Sequence, residues 1–168
     1  FESRHGMKIV QGWGMTETSP VASTATLPPD LMDADDDTRW DFQAMAGIPL
    51  TLVEIRAMAD DGTEIPWDGE AMGELEVRGP WVASSYLDAP DTADRWSPDG
   101  WFRTGDIVSI HPRGYIQIKD RSKDVIKSGG EWISSVDLEN AIMGHPAVAE
   151  AAVIAIPDRS EEHTSELQ

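Results

Sequence analysis

The chain contains no cysteine. That single absence removes disulfides, thiolate nucleophiles and cysteine-ligated zinc, and it suits a reducing compartment. Basic residues are scarce: 13 Lys and Arg stand against 31 Asp and Glu, a formal net charge of -18. A surface so negative repels nucleic-acid phosphate and anionic lipid, which argues against nucleic acid as a partner. Histidine is sparse as well, and His5, His111, His145 and His163 are too scattered to suggest a metal site by spacing. No apolar run is long enough to span a bilayer, and no basic start leads into an apolar segment of the signal-peptide kind. The chain therefore reads as cytoplasmic, without a transmembrane segment. The acidic run from Asp33 to Asp37 reads as a solvated loop, since a flexible run does not hold carboxylates in the fixed geometry a cation needs.

What is present falls into two styles. Met7 to Val10 is a short strand-like run, followed by a Gly- and hydroxyl-rich stretch from Gly12 to Ser23 that reads as a loop. Regular structure resumes near Gly47. Leu50 to Met58 is strand-like, Asp61-Gly62 signals a turn, and Glu74 to Arg78 alternates, with Leu75 and Val77 on one face and Glu74, Glu76 and Arg78 on the other. Ile107 to Ile110 and Tyr115 to Ile118 pair as a hairpin through His111-Pro112-Arg113-Gly114. No long helix is legible before Lys119.

Beyond Lys119 the dense charges of Asp120 to Asp124 mark a boundary. Val125 to Lys127 reads as a strand and Ser128-Gly129-Gly130 as a loop. Ser134 is an N-cap with Asp137 at the third helical position. Leu138, Ala141 and Ile142 share a helix face, Gly144 supplies the stop, and Ala151 to Ile156 reads as a buried strand that the helix would cover.

Four stretches carry chemistry in their order: Gln11 to Glu17 (QGWGMTE), Gly73 to Pro80 (GELEVRGP), Trp101 to Asp106 (WFRTGD) and Asp120 to Ser134 (DRSKDVIKSGGEWIS). In the first, Gly12 and Gly14 permit close backbone approach and Trp13 offers a flat face, as a nucleotide site would use. Together the four resemble the signature motifs of the adenylate-forming superfamily, and the run from Asp99 to Asp158 with RGPWVASSYL is most similar to medium- and long-chain fatty acyl-CoA synthetases. The resemblance implies an α+β fold: residues 1–119 as the β-rich C-terminal part of the large AMP-binding domain, 120–123 as a hinge, and 124–158 as the start of a small α/β lid domain.

It also implies roles. Trp13 would stand against adenine, with Gly12 and Gly14 beside it, Thr16 would reach the α-phosphate, and Glu17 would help hold Mg2+ on the phosphates of ATP. Asp106 would take the two ribose hydroxyls, and Arg121 a ribose or phosphate oxygen. Lys123 would be the hinge about which the lid turns between adenylation and thioester formation, and Ser128, Gly129 and Gly130 would line the CoA pantetheine tunnel. The second motif reads as structural; Trp101, Phe102 and Tyr86 read as packing residues. The substrates implied are a carboxylic acid, ATP and CoA. An aryl- or amino-acid-activating domain is the alternative within the superfamily, the latter disfavoured by KSGGEWIS, and a non-catalytic nucleotide-binding fragment is the alternative outside it.

Phe1 is no initiator, so a beginning upstream is expected. The phosphate-gripping Ser/Thr/Gly/Lys loop and acyl pocket of relatives would lie there, and their late adenylation lysine beyond Asp158. Arg159 to Gln168 resembles the translation of a common short-read sequencing adapter, and is expected to be non-native; the source nucleotides decide it.

Overall fold

A computed structural model describes residues 2–128 and 131–156. The chain divides into two compact units after Ile118.

The first unit carries two antiparallel arrays. Strands β1 (Gly12–Trp13), β2 (Ser23–Thr24) and β3 (Ile48–Pro49) form a small sheet in that order. Strands β4 (Glu54–Met58), β5 (Gly73–Arg78), β6 (Phe102–Ile110) and β7 (Ile116–Arg121) form the larger one, again in chain order, the last residues of β7 lying past the Ile118 boundary. The hairpin turn at His111–Gly114 closes with His111 N–H donating to Tyr115 O at 2.9 Å and Gly114 N–H to His111 O at 2.7 Å. Ile55, Ala57, Leu75, Val77, Phe102, Val108, Ile110 and Ile116 form the core. Apolar burial of this kind is the main favourable term in folding.

Three helices accompany the sheets: α1 (Glu2–His5), α2 (Pro29–Met32) and α3 (Asp36–Ala44). The acidic run is solvated, as its composition suggests, with Asp33, Asp35, Asp36 and Asp37 all exposed, but it is not wholly a loop. Asp35 caps α3, accepting from Thr38 N–H at 2.9 Å and Thr38 Oγ1 at 2.8 Å. Asp36 and Asp37 follow in the first turn, where carboxylates meet the positive end of the helix dipole. Met7 to Val10 forms no strand; Met7, Ile9 and Val10 are all more than half exposed.

The alternation in β5 needs a second correction. Leu75 and Val77 are fully buried, as one face should be, but Glu76 on the other face is only 3% exposed. Arg56 Nε donates to Glu76 Oε2 at 2.7 Å and Arg103 Nε to Oε1 at 3.2 Å. A buried carboxylate requires such partners. Nearby, the Arg56 and Arg78 guanidinium carbons each lie 4.5 Å from the centre of the Trp101 ring, so that this tryptophan packs against cations.

In the second unit, β8 (Ile126–Ser128) pairs antiparallel with β9 (Glu131–Ile133), and α4 spans Ser135–Met143. Ser134 is its N-cap, with Oγ accepting from Asp137 N–H at 3.0 Å. Ala151 to Ile156 is not the buried strand its β-branched run suggests: it is irregular, with Ile154 and Ile156 78% and 83% exposed. Leu138 and Ile142 on α4 are likewise about two-fifths exposed. A strand is stable only with a partner, and none is offered to this one among the described residues.

Candidate functional site

The loop after β1 is built by side chains that hold its backbone. Thr18, fully buried, accepts from Met15 N–H at 2.9 Å, and its hydroxyl lies within hydrogen-bond distance of Met15 O and Pro20 O. Gly14 is required by chain packing: a Cβ there would sit 1.9 Å from Pro20 O and 2.7 Å from Val21 Cα. The freedom that sequence reasoning reserved for a ligand is therefore used by the returning chain. Gly12 is less crowded and exposed.

Held this way, the loop leaves Thr16 exposed and Glu17 half-buried. Glu17 is fixed at both ends. Its carbonyl accepts from Ala83 N–H at 2.8 Å, and its carboxylate accepts from the Tyr86 hydroxyl. That bond pushes the Tyr86 phenol above its ordinary pKa. Trp96 supports the arrangement, donating from Nε1 to Ala83 O at 2.9 Å and meeting Tyr86 edge-on at 5.3 Å between centroids. Tyr86 thus does more than the packing its sequence suggested; a lone tyrosine 69 positions from Glu17 carries no sequence sign of that contact.

Trp13 is 9% exposed and belongs to the core cluster with Ala22, Ala46 and Val53. Its edge carries the polar contact, Nε1 donating to Asp106 Oδ2 at 2.9 Å.

Asp106 owes its direction to an irregularity in β6. Gly73 and Glu74 pair with Val108 and Ile107, whereas Glu76 and Val77 pair with Arg103 and Phe102, so Thr104, Gly105 and Asp106 all stand opposite Leu75. Such a bulge re-aims a side chain that regular alternation would place elsewhere. Gly105 takes the left-handed value φ +76° that the bulge demands. Thr104 Oγ1 donates to Leu75 O at 2.8 Å and accepts from Asp106 N–H at 3.1 Å, while Gly105 N–H donates to Glu74 Oε1 at 3.2 Å. Burial raises the pKa of that Glu74 carboxyl above its ordinary value.

In the second unit, Arg121 and Lys123 are exposed. Arg121 O accepts from Asp124 and Val125 N–H, both at 2.9 Å, so Lys123 sits within a closed turn; its side chain is 80% exposed, with Nζ 3.9 Å from the Asp124 carboxylate. Ser128 ends β8, exposed and paired with Glu131. Gly129 and Gly130 lie outside the described residues, as does Arg159 to Gln168.

Residues 1–87 match the family model for AMP-binding enzymes, and residues 137–164 that for the AMP-binding enzyme C-terminal domain. The chain belongs to the AMP-binding enzyme family. Among its relatives, the long-chain-fatty-acid–CoA ligase of Thermus thermophilus is 48% identical over 155 residues, covering 92% of this chain and 29% of the relative. The 3-methylmercaptopropionyl-CoA ligase of Ruegeria lacuscaerulensis is 44% identical over 158 residues, covering 94% and 29%. A solved structure, the o-succinylbenzoate CoA synthetase of Bacillus subtilis with its acyl-adenylate intermediate, superposes with TM-score 0.74 at 32% identity, covering 95% of this chain and 30% of that one. The chain thus spans less than a third of the length of these AMP-binding enzymes.

The family implies magnesium, and the donors present bear on it. No cluster of three His, Cys, Asp or Glu exists among the described residues. A single anchored carboxylate, Glu17, beside the exposed hydroxyl of Thr16 fits a hard cation whose remaining ligands are phosphate oxygens and water. Among the described residues no helix is long and apolar enough to cross a membrane.

Proposed function

We propose that this chain supplies the adenosine-facing side of an ATP-dependent fatty acid–CoA ligase. In that reaction a substrate carboxylate attacks the α-phosphorus of ATP, pyrophosphate leaves, and the CoA thiol then displaces AMP from the acyl-adenylate. The observation that carries the reading is a pair of carboxylates held by dedicated donors: Glu17, four positions after Trp13 and bonded to Tyr86, and Asp106, bonded to the Trp13 indole itself.

In this reading Asp106 accepts the ribose hydroxyls, Thr16 meets the α-phosphate, and Glu17 would hold Mg2+, which when bound neutralises phosphate charge. Residues 1–119 are the end of the large domain, 120–123 a hinge centred on Lys123, and 124–158 the start of the lid. Arg121 serves the nucleotide, and Ser128 with Gly129 and Gly130 the CoA arm, in a cytoplasmic enzyme. The fatty acid preference rests on the relatives named for CoA ligases of that kind.

The test is pyrophosphate release by the complete protein with a panel of acids. Fatty acids are expected to be turned over; activity on aryl or amino acids alone overturns the substrate class. The 168-residue chain is expected to bind AMP and to form no acyl-CoA. Acyl-CoA formation by the chain alone would overturn that part.

A further inference from the structure

Glu17 has two holders, and neither sits in a helix or strand. Ala83, whose N–H meets the Glu17 carbonyl at 2.8 Å, lies in irregular chain after β5. Tyr86, whose hydroxyl meets the Glu17 carboxylate, is 36% exposed and borders a cavity of about 460 Å³ together with Ser84, Ser85 and Thr92, so its ring is not enclosed. Both holders lean on one side chain. Trp96 donates from its indole Nε1 to Ala83 O at 2.9 Å, and its ring meets that of Tyr86 edge-on, 5.3 Å between centroids at an interplanar angle of 71°. The same indole lies 5.1 Å from the ring of Phe102, which is fully buried in the core at the start of β6, and the backbones of Trp96 and Phe102 form a bridge. The hydrogen bonds of Trp96 go to Ala83 and Ala93, not to Glu17. A hydrogen bond weakens steeply as its angle departs from linear, so a hydroxyl aimed at a carboxylate keeps its value only while the ring behind it is held.

We propose that Trp96 is a positioning residue for Glu17: it carries the rigidity of the core from Phe102 to Ala83 and Tyr86, and through them fixes where the Glu17 carboxylate stands for the Mg2+ that accompanies ATP. The inference rests on the reading of Glu17 as the magnesium carboxylate. Groups that orient a metal-binding carboxylate without touching the ion tune its affinity for that ion, and their loss is felt there before it is felt by parts of the ligand that the ion does not touch.

The experiment is calorimetric titration of the complete protein with ATP in the presence and absence of Mg2+, and with AMP in its absence, alongside thermal melting. Trp96→Phe keeps an aromatic ring and removes the N–H. It is expected to weaken Mg2+-dependent ATP binding by about three- to ten-fold, while AMP binding without Mg2+ changes by less than about two-fold. In a Tyr86→Phe background the same substitution should cost under about two-fold, because the hydroxyl it serves is gone and the two effects are coupled. If Trp96→Phe does not fold, 3-benzothienylalanine introduced at position 96, which replaces the N–H by sulfur with little change of shape, gives the same readout. A lowered melting temperature with Mg2+-dependent ATP binding intact makes Trp96 a packing residue and overturns the proposal. Equal weakening of ATP and AMP, or the full loss repeated in the Tyr86→Phe background, also overturns it. Mg2+-dependent ATP binding that survives Glu17→Gln unchanged overturns instead the underlying reading of Glu17.

Discussion

The carboxylate of Asp120 accepts from both the N–H and the hydroxyl of Ser135, at 2.8 and 2.7 Å, through the same oxygen. Its other oxygen takes Arg121 N–H at 2.7 Å, and next door Ser134 Oγ donates to Lys119 O at 2.5 Å. Asp120 is 5% exposed. The first residue of the charged stretch is therefore fastened to the start of α4, not solvated. Asp120→Ala should destabilise the second unit by roughly 2–3 kcal/mol, since it strands a buried N–H and hydroxyl. Hydrogen exchange should report this as lost protection in α4 with β4, β5 and β6 of the larger sheet unchanged. Unaltered α4 protection would contradict it.

Glu76 is the most enclosed charge of the larger sheet. Removing it leaves Arg56 with Asp99 as its carboxylate partner, to which it donates at 2.7 and 3.1 Å, and frees Arg103 from its buried partner. Glu76→Ala is expected to cost about 3–5 kcal/mol in urea unfolding, the range for breaking one side of a buried pair. Arg103→Ala, whose side chain is 41% exposed, should cost under about 1 kcal/mol. Similar costs for both would refute the ranking.

Two carboxyls predict opposite pH behaviour. Burial raises Glu74 above its ordinary value of 4.5, so protonation favours the fold, and the stability it lends is present below that value and lost as pH rises through its folded pKa. Glu74→Gln, which keeps an acceptor for Gly105 N–H, should melt higher than wild type at neutral pH, the advantage shrinking in acid. The Arg56 guanidinium holds Asp99 well below its ordinary 3.8, so its contribution is present above 3.8 and lost as pH falls through the lowered folded value. Asp99→Asn should accordingly melt lower at neutral pH and converge with wild type in acid. Melting curves across pH check both signs.

Tyr86→Phe removes the phenol that donates to Glu17 and leaves its ring against Trp96. On the proposed role of Glu17, Mg2+-dependent ATP binding should weaken by about three- to ten-fold, the scale of one partly exposed hydrogen bond to a charged acceptor. Binding of AMP without Mg2+ should stay the same. Weakening of both equally would reduce Tyr86 to a packing role.

Much of the fold and of the motif positions was legible because the signals are local. Ser134 and Asp137 announce a helix start, His111 to Gly114 a hairpin turn, and Leu75 and Val77 a buried strand face, each from a few adjacent residues. The failures have one character. Met7 to Val10 and Ala151 to Ile156 have strand composition without a partner, and a ladder is a property of two segments. The acid run stayed in solvent as its charge suggested, but it became a helix start because Asp35 found Thr38, where composition alone suggested a loop.

For the site, the sequence by itself determined which chemical groups are on hand: an indole, a hydroxyl and a carboxylate within five positions, and TGD ninety positions later. Only the tertiary structure decided what each group faces. Trp13 turned its edge to Asp106, Gly14 made way for Pro20 and Val21, and Tyr86 reached Glu17. The physical reason is that a hydrogen bond or a core contact depends on separation in space, and the bulge in β6 that aims Asp106 arises from the pairing of two strands, which neither strand encodes alone.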